Sequence, residues 1–579
     1  MIGLASGRPE IADHLSRICG VCAIGFIALL AVLAIPDKIG ADKVIAGGLV
    51  LFAPLASYAA IGLMSRTASS SEYGLFDRSI PAVFAGMAGG AEWMSAAVIL
   101  SAASALFPTA HDGRAVVIGL TGGYILLAVL IAPFLRNSGA HTVPDFLAAR
   151  YGGNVARLLA VIVLFVCSFL LVVALIEGAV VIASRVLGLN PDVACYLALA
   201  VILACALPGG MRGVTATQVV QYVVLILGCL ALFVISEAQR FEGAHVGPIY
   251  DPVVQALKAI GRGLGIAPMA PRPGPFRLLE AVDSLSLTLC LMLGTASLPH
   301  ILTRALATPS TDEARASAAW SLLFIAPLLA MLPTYVRLSS EDVSPQLTGV
   351  ITGLAAAVGV TAMLAAASGV LLTIANSFGY DVWHKMLARK AAPGSRLIVA
   401  RLLLLAVTAL AGYVAATGPV DVVPLVAWAF SLAAAGFFPA LVFGVWWTRT
   451  TTAAAICGII AGFGLSLFYI VVSRYYPQAG VTLFGMSSLL EPADGKPLVN
   501  VAQALADAKW LADVPASAAN PLASKIGWFN VANLACGVFG LAAGFLTMIV
   551  VTPLSKRPAP EKRAWIDALR APRGRARLG

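Results

Sequence analysis

The chain has 579 residues, of which 60% are hydrophobic and only 11% are charged, and its mean hydropathy is +0.91. Soluble globular chains average about 25% charged residues, so a packed core alone cannot absorb this much apolar surface. The composition therefore excludes a soluble globular protein and predicts a polytopic, all-α membrane protein, with lipid as the solvent for much of the chain.

The net charge of +10 does not indicate a nucleic-acid-binding protein, because much of it comes from a short tail after the last apolar segment. A basic tail in that position is attracted to anionic lipids, by about 1 kcal/mol for each cation. Membrane lipids are therefore the expected partner of this tail, and no nucleic acid is expected. Its cations are Lys556, Arg557, Lys562, Arg563, Arg570, Arg573, Arg575 and Arg577.

The nine cysteines do not predict a disulfide framework or a zinc site, because they are odd in number and scattered through apolar segments. Cys19 and Cys22 form a CxxC pair at the start of an apolar helix, where an incidental role is favoured over a redox role.

Fourteen hydrophobic segments follow one another along the chain, and most are near the roughly 20 residues that span a bilayer. They cover about 18–36, 43–65, 80–107, 117–136, 155–186, 191–207, 214–236, 281–302, 316–337, 347–378, 397–417, 420–447, 451–474 and 529–553.

The distribution of Lys and Arg orients these segments, since short cytoplasmic loops are enriched in both. Short connections on one side carry Arg66, Arg78, Arg136, Arg150, Arg157, Arg212, Arg304, Arg315, Lys385, Arg389, Lys390, Arg396 and Arg449. Those on the other side carry only Lys38, Lys43, Arg114, Arg185 and Arg337. The longer connections 237–280 and 475–528 hold more cations, but long loops cross largely regardless of charge.

This bias predicts a multi-pass protein of the cell inner membrane with both termini in the cytoplasm. The alternative at the start is that the first segment is a cleaved signal sequence. A retained helix is favoured, because its apolar stretch is long for a signal sequence.

The third segment contains the adjacent glycines Gly89 and Gly90, directly before Ala91 and Glu92. Glycine weakens a helix by about 1 kcal/mol relative to alanine, so a break is predicted here. Glu92 would lie roughly 18 Å from the inner end of the segment, where a carboxylate is costly and therefore indicates function. The alternative is that the glycines only permit close helix packing and that Glu92 pairs with a polar neighbour.

The eighth segment is also predicted to break, where Gly294 to Ser297 precede Pro299, because proline removes a backbone donor. Two interrupted helices, each opening a set of five, are typical of inverted-repeat transporters with a site between the breaks. The sets would be segments three to seven and eight to twelve. The residues expected to bind solute flank the two breaks: Gly89, Ala91, Glu92, Ser95, Thr295 and Ser297.

Several stretches, in order over roughly residues 70–450, resemble the sodium:solute symporter family, and most closely its permeases for acetate and other monocarboxylates. They are Phe76 to Val83 leading into GMAGGAEWMSAA, Gly122 to Arg136, Thr142 to Gly152, Gly209 to Gln221 and Gly294 to His300. The resemblance implies a LeuT-like core of two inverted five-helix repeats over 80–450. Two helices would precede it in 1–79, and two helices with the basic tail would follow in 451–579.

The resemblance also implies a sodium site made by the first and eighth core helices. The matching positions here are Gly90, Trp93, Ala362, Ala365 and Ala366. The family usually has hydroxyl side chains where this chain has Ala365 and Ala366. A hard cation needs oxygen ligands, which methyl groups do not supply, so weak sodium coupling is expected. Burial favours the neutral form of a carboxylate, so a proton is the alternative coupling cation.

The expected function is a symporter of a small organic solute, with a monocarboxylate as the expected class and a sodium ion or a proton as the coupling cation. The alternative is a proton-coupled or uncoupled protein that acts as a facilitator or as a solute sensor. An enzyme is not expected, because no paired nucleophile and base occur at membrane depth and no Walker-type loop is present. No cofactor other than a sodium ion is expected.

Overall fold

The computed structural model describes residues 9–39, 43–106, 111–241, 278–338, 349–390, 393–417, 421–489 and 526–570, with positions 496, 497, 500 and 503. Within these ranges the chain is almost entirely helical. Thirteen of the described helices are long and apolar enough to cross a membrane. A further apolar helix, Pro191–Ala206, is shorter than these thirteen. Each of the fourteen predicted segments overlaps a helix, which confirms the all-α polytopic class.

The helices are numbered here in chain order. The first ten are α1 (Pro9–Ile39), α2 (Lys43–Met64), α3 (Ser70–Leu75), α4 (Ala82–Leu106), α5 (His111–Leu126), α6 (Ala132–Asn137), α7 (Val143–Tyr151), α8 (Gly153–Leu187), α9 (Pro191–Ala206) and α10 (Met211–Phe241). The rest are α11 (Leu278–Ser297), α12 (Pro299–Leu306), α13 (Thr311–Leu338), α14 (Gly349–Ser377), α15 (Pro393–Ala416), α16 (Val422–Trp446), α17 (Thr452–Tyr475), α18 (Pro477–Thr482), α19 (Gly537–Leu554) and α20 (Pro560–Arg570).

Shorter elements complete the described chain. Strands β1 (Ser487–Ser488) and β2 (Ile526–Gly527) pair antiparallel, with Ser487 opposite Gly527. Wider π turns cover Leu127–Ile131, between α5 and α6, and Phe378–Leu387, after α14. Single 3-10 turns cover Phe76–Arg78 and Asn533–Ala535.

The chain divides into two compact units. Unit 1 comprises Met1–Ala102, Leu171–Ala270 and Thr303–Val422, and unit 2 comprises Ala103–Leu170, Pro271–Leu302 and Val423–Gly579. Both units are therefore assembled from segments that are distant in sequence. The predicted division into 1–79, 80–450 and 451–579 is a division along the chain and stays a prediction.

The centre of unit 1 is α14, which is buried along almost its whole length. Its sequence is mostly alanine, glycine and aliphatic residues, without a charged side chain. A helix that is apolar on every face can be surrounded by lipid or by other helices, and its small residues let neighbouring helix backbones approach closely. Its neighbours within the unit include α2 and α10. The sequence of α14 thus provides a tightly packed frame for the polar side chains beside it.

The predicted break in the eighth segment is confirmed. Helix α11 ends at Ser297 and α12 begins at Pro299, with Leu298 between them. Proline suits the first position of a helix, because its missing N–H would have no partner there.

The predicted break in the third segment is wrong, because α4 runs without interruption through Gly89 and Gly90. Close packing explains its glycines. A Cβ on Gly86 would overlap the Cβ of Trp320 on α13, and a Cβ on Gly90 would lie 3.1 Å from the Tyr222 ring. The alternative interpretation from the sequence, that these glycines permit close packing, is the one that the geometry supports.

Part of the basic tail forms α20, in unit 2. Ile566 and Leu569 of this helix are buried, and the Asn137 side chain donates to the Leu569 carbonyl at 2.8 Å. The tail therefore makes protein contacts, and its predicted association with lipid stays a prediction. Arg573, Arg575 and Arg577 lie outside the described residues, as does most of the predicted connection 237–280.

Candidate functional site

An ion pair lies inside unit 1, between Glu92 on α4 and Arg304 on α12. Arg304 Nε donates to Glu92 Oε2 at 2.8 Å, and Arg304 Nη2 donates to Glu92 Oε1 in a short contact. Glu92 is only 4% exposed and Arg304 only 6%. A buried ion pair overcomes the cost of desolvation only when its geometry is good and further hydrogen bonds satisfy its remaining atoms. The two-point contact seen here meets the first condition.

Gln218 on α10 supplies further hydrogen bonds, and its side chain is fully buried. Its Nε2 donates to Glu92 Oε1 at 3.0 Å and to the carbonyl of Ala365 on α14 at 2.6 Å. Its Oε1 accepts from Arg304 Nη2 at 2.7 Å. The amide nitrogen of Gln218 thus donates to the carboxylate and to the carbonyl, and its amide oxygen accepts from the guanidinium. We call Glu92, Gln218 and Arg304 the charged cluster.

Gly369 on α14 provides the space for this cluster. A Cβ at that position would overlap Glu92 Oε1 and would lie 3.2 Å from Gln218 Nε2 and 3.6 Å from Arg304 Nη2. Glu92 stands ten residues into α4, which is about 15 Å along the helix at 1.5 Å per residue. The cluster is therefore well inside the helical bundle of unit 1.

One hydrogen-bond donor of the cluster lacks an acceptor among the described residues. Arg304 Nη1 is buried and has no hydrogen-bond partner among the described residues. A buried donor without a partner costs roughly 1–3 kcal/mol, and more when the group is charged. An oxygen atom of a water or of a solute would relieve this cost.

The residues predicted to hold sodium are all buried, with Gly90 and Trp93 on α4 and Ala362, Ala365 and Ala366 on α14. The Ala365 carbonyl already accepts from Gln218 Nε2, and it also accepts from Ser368 Oγ at 3.1 Å. Because Ala365 and Ala366 add no side-chain oxygen, these residues are a poor fit to a sodium ion at this carbonyl. Their assignment as ligands stays a prediction.

The residues predicted to bind solute fall in both units. Gly89, Ala91, Glu92 and Ser95 lie on the part of α4 in unit 1, where Ser95 Oγ donates to the Glu92 carbonyl at 2.7 Å. Thr295 and Ser297 lie on α11 in unit 2, and the partners of their hydrogen bonds belong to the same unit. Thr295 Oγ1 donates to the Leu291 carbonyl at 2.8 Å, and Ser297 Oγ contacts the Ala433 carbonyl of α16 at 3.1 Å. These assignments also stay predictions.

Sequence reasoning did not assign a role in the site to Arg304 or Gln218. Arg304 was predicted to be a loop cation, but it is a buried residue of α12. An arginine directly after an apolar segment is normally assigned to the membrane interface, so its burial is not predicted from the sequence. Gln218 stands in the apolar segment 214–236, and a polar amide in such a segment is the one signal that indicates a buried partner.

Comparison with known proteins agrees with this architecture. The family model of the sodium:solute symporter family matches residues 73–339 and 334–462. A protein of Cupriavidus necator that is named an uncharacterized symporter is 31% identical, over 93% of this chain and 96% of its own length. The uncharacterized symporter YwcA of Bacillus subtilis is 26% identical, over 72% of this chain and 84% of its own length.

A solved structure of a Na⁺-coupled sialic acid symporter, in a substrate-bound outward-open state, has a TM-score of 0.62 to this chain at 15% identity. The match covers 89% of this chain and 98% of that one. The fold is therefore that of an all-α polytopic membrane protein with a LeuT-like core. The chain belongs to the sodium:solute symporter family.

Proposed function

We propose that this protein is a symporter that carries a small monocarboxylate across the cell inner membrane together with a cation. Membership of the symporter family supports the transport of a solute with a coupling cation. The resemblance of its motifs to acetate and monocarboxylate permeases supports the solute class.

The observation that carries this proposal is the charged cluster. Charged groups inside a membrane protein are costly, and they usually face an ion path, a substrate path or one another. Glu92 and Arg304 face one another, but the buried Nη1 of Arg304 has no partner among the described residues. A carboxylate oxygen is the strongest natural acceptor for such a donor. The cluster thus supports a solute that bears a carboxylate.

Counterflow in proteoliposomes tests the proposal. Vesicles with the purified protein are loaded with unlabelled acetate, propionate, lactate or pyruvate, and the uptake of the same labelled acid is followed. Empty vesicles correct for passive diffusion of the protonated acids, and a neutral sugar and an amino acid control for solute class. We expect a transient overshoot with at least one acid and none with the controls. Binding of an acid without counterflow would indicate a sensor, and an overshoot only with the controls would reject the solute class.

The predicted orientation has its own test. Because Lys and Arg concentrate on one set of short connections, both termini are expected in the cytoplasm. A phosphatase that is active only in the periplasm, fused after Gly579, should be inactive, whereas a fluorescent protein that folds in the cytoplasm should be bright there. The opposite pair of results would contradict the topology.

A further inference from the structure

The carboxylate of Glu92 has its charge balanced within the protein. Both of its oxygens accept from Arg304, and Oε1 also accepts from Gln218. The Ala365 carbonyl beside it accepts from two protein donors, Gln218 Nε2 and Ser368 Oγ. The oxygens that would attract a free cation here are therefore already bound to donors that belong to the chain.

The balance of charge leads to the same conclusion. Within the cluster, one carboxylate is matched by one guanidinium, and Gln218 is neutral. An arginine side chain stays protonated inside proteins, so its positive charge is permanent, whereas a bound ion can dissociate. Without bound solute, an added sodium ion would leave the cluster with one excess positive charge in a buried site, which is unfavourable.

We propose that the guanidinium of Arg304 is a fixed internal cation that takes the place of an external cation beside Glu92, so that this site does not bind sodium. The inference rests on the proposed function, since a coupling cation has meaning only in a transporter. The positive charge beside Glu92 therefore belongs to the protein itself and is not transported across the membrane with the solute. Gln218 is the residue that positions this charge, because it joins Arg304 to both Glu92 and Ala365.

The first arm of the test measures the melting temperature of the purified full chain in detergent, with sodium, potassium or choline chloride at constant ionic strength and with no solute. We expect the same melting temperature in all three salts. A saturable rise that is specific to sodium would overturn the proposal, because a ligand that binds only the folded state must stabilise it.

The second arm uses Arg304→Ala, which leaves the Glu92 carboxylate buried without a counter-ion. We expect a lower melting temperature than in the wild type. We also expect millimolar sodium or methylguanidinium, but not choline, to raise it by about 2 °C or more. No response to either small cation would overturn the proposal, as would an equal response to choline.

The matched control is Glu92→Gln/Arg304→Ala, which removes both charges and should respond to no cation. A response equal to that of Arg304→Ala would show that Glu92 is not the group that attracts the cation. If Arg304→Ala gives no folded protein, Arg304→Lys replaces it. That variant keeps a positive charge and should ignore sodium as the wild type does, so a sodium-specific rise would again overturn the proposal.

These readouts need no solute, so they are independent of the uptake experiment. Failure of every monocarboxylate in counterflow would reject the proposed solute class and leave the cation result standing. A sodium-specific rise in melting temperature would reject the internal cation and leave the transport of monocarboxylates standing.

Discussion

Arg150 in unit 2 and Arg304 in unit 1 are both buried arginines, but their charges are balanced by different groups. Arg150, which is 1% exposed, donates to the carbonyls of Gly444, Trp447 and Thr450, at 2.8, 3.1 and 3.2 Å. These carbonyls lie at and just beyond the end of α16, where the last turn of a helix lacks backbone donors. Arg304 is instead paired with a carboxylate and an amide side chain.

The difference separates a structural arginine from a functional candidate. Partial negative charge at a helix C-terminus is a fixed part of the backbone, and an arginine that caps it stabilises one helix end. Burial lowers the pKa of the Arg150 guanidinium, but arginine remains charged in proteins. The charge of Glu92, in contrast, is matched by the side chain of Arg304, which comes from another helix. The cluster around Arg304 therefore pairs two opposite side-chain charges, whereas Arg150 binds backbone carbonyls.

The largest expected effect follows from removing Arg304. Arg304→Ala should lower the free energy of unfolding by about 3–5 kcal/mol, because the Glu92 carboxylate stays buried without its partner. The charge-neutral double variant Glu92→Gln/Arg304→Gln should recover at least half of this loss without recovering solute uptake. Thermal unfolding and counterflow on the same samples measure both quantities. Recovery of uptake in the double variant would mean that the charges serve only stability.

Removing Arg150 should affect stability alone. Arg150→Met keeps much of the side-chain volume but removes the guanidinium donor from three carbonyls, of which that of Trp447 keeps the Thr450 N–H, and this should cost about 3 kcal/mol. The apparent KM for solute should stay within twofold of the wild type. The matched control is Arg389→Met, because Arg389 is an exposed arginine that also donates to a backbone carbonyl, that of Lys385. This control should cost less than about 0.5 kcal/mol. A large change in KM for Arg150→Met would contradict its structural role.

Two glutamates on apolar helices offer a further contrast. Glu92→Gln should reduce the initial rate of uptake, normalised to the amount of protein in the membrane, at least about tenfold more than Glu177→Gln does. Glu92 is bound to Arg304 and Gln218, whereas Glu177 on α8 is only half-buried. Equal losses in the two variants would remove the reason to place Glu92 in the functional site.

The helices were predictable from the sequence because the bilayer demands long apolar segments, and the break before Pro299 was predictable because proline removes a backbone donor. The glycines of α4 were misinterpreted, since glycine both weakens a helix and lets another helix approach. Only the positions of Trp320, beside Gly86, and Tyr222, beside Gly90, decide between these uses, and both residues lie more than 100 positions away in the chain.

The partners of the cluster could not be read from the sequence for a similar reason. Arg304 is 212 residues from Glu92, and Gln218 is 126 residues from it. The sequence predicted a carboxylate inside an apolar segment, and Glu92 is buried on α4, but its counter-ion was counted among the loop cations. A buried arginine near the end of an apolar segment has the same local sequence as an interfacial one, and only packing distinguishes them.

The smallest expected effect tests whether the exact fit of the cluster matters, apart from its charges. Gly369→Ala adds one methyl group where Glu92 Oε1 now lies, so the carboxylate must shift away from Gln218 or Arg304. Overpacking of this kind should cost roughly 1 kcal/mol in stability. Because both charges remain, a larger change is expected in solute uptake, which should fall about tenfold if the geometry of the cluster sets the position of the Arg304 donor.

Gly394→Ala is the control, since Gly394 is an exposed glycine near the start of α15 with no atom within 4 Å of an added Cβ. It should leave uptake unchanged. If Gly369→Ala lowers the melting temperature but not the uptake rate, charge balance alone accounts for the cluster, and its precise geometry has no part in transport.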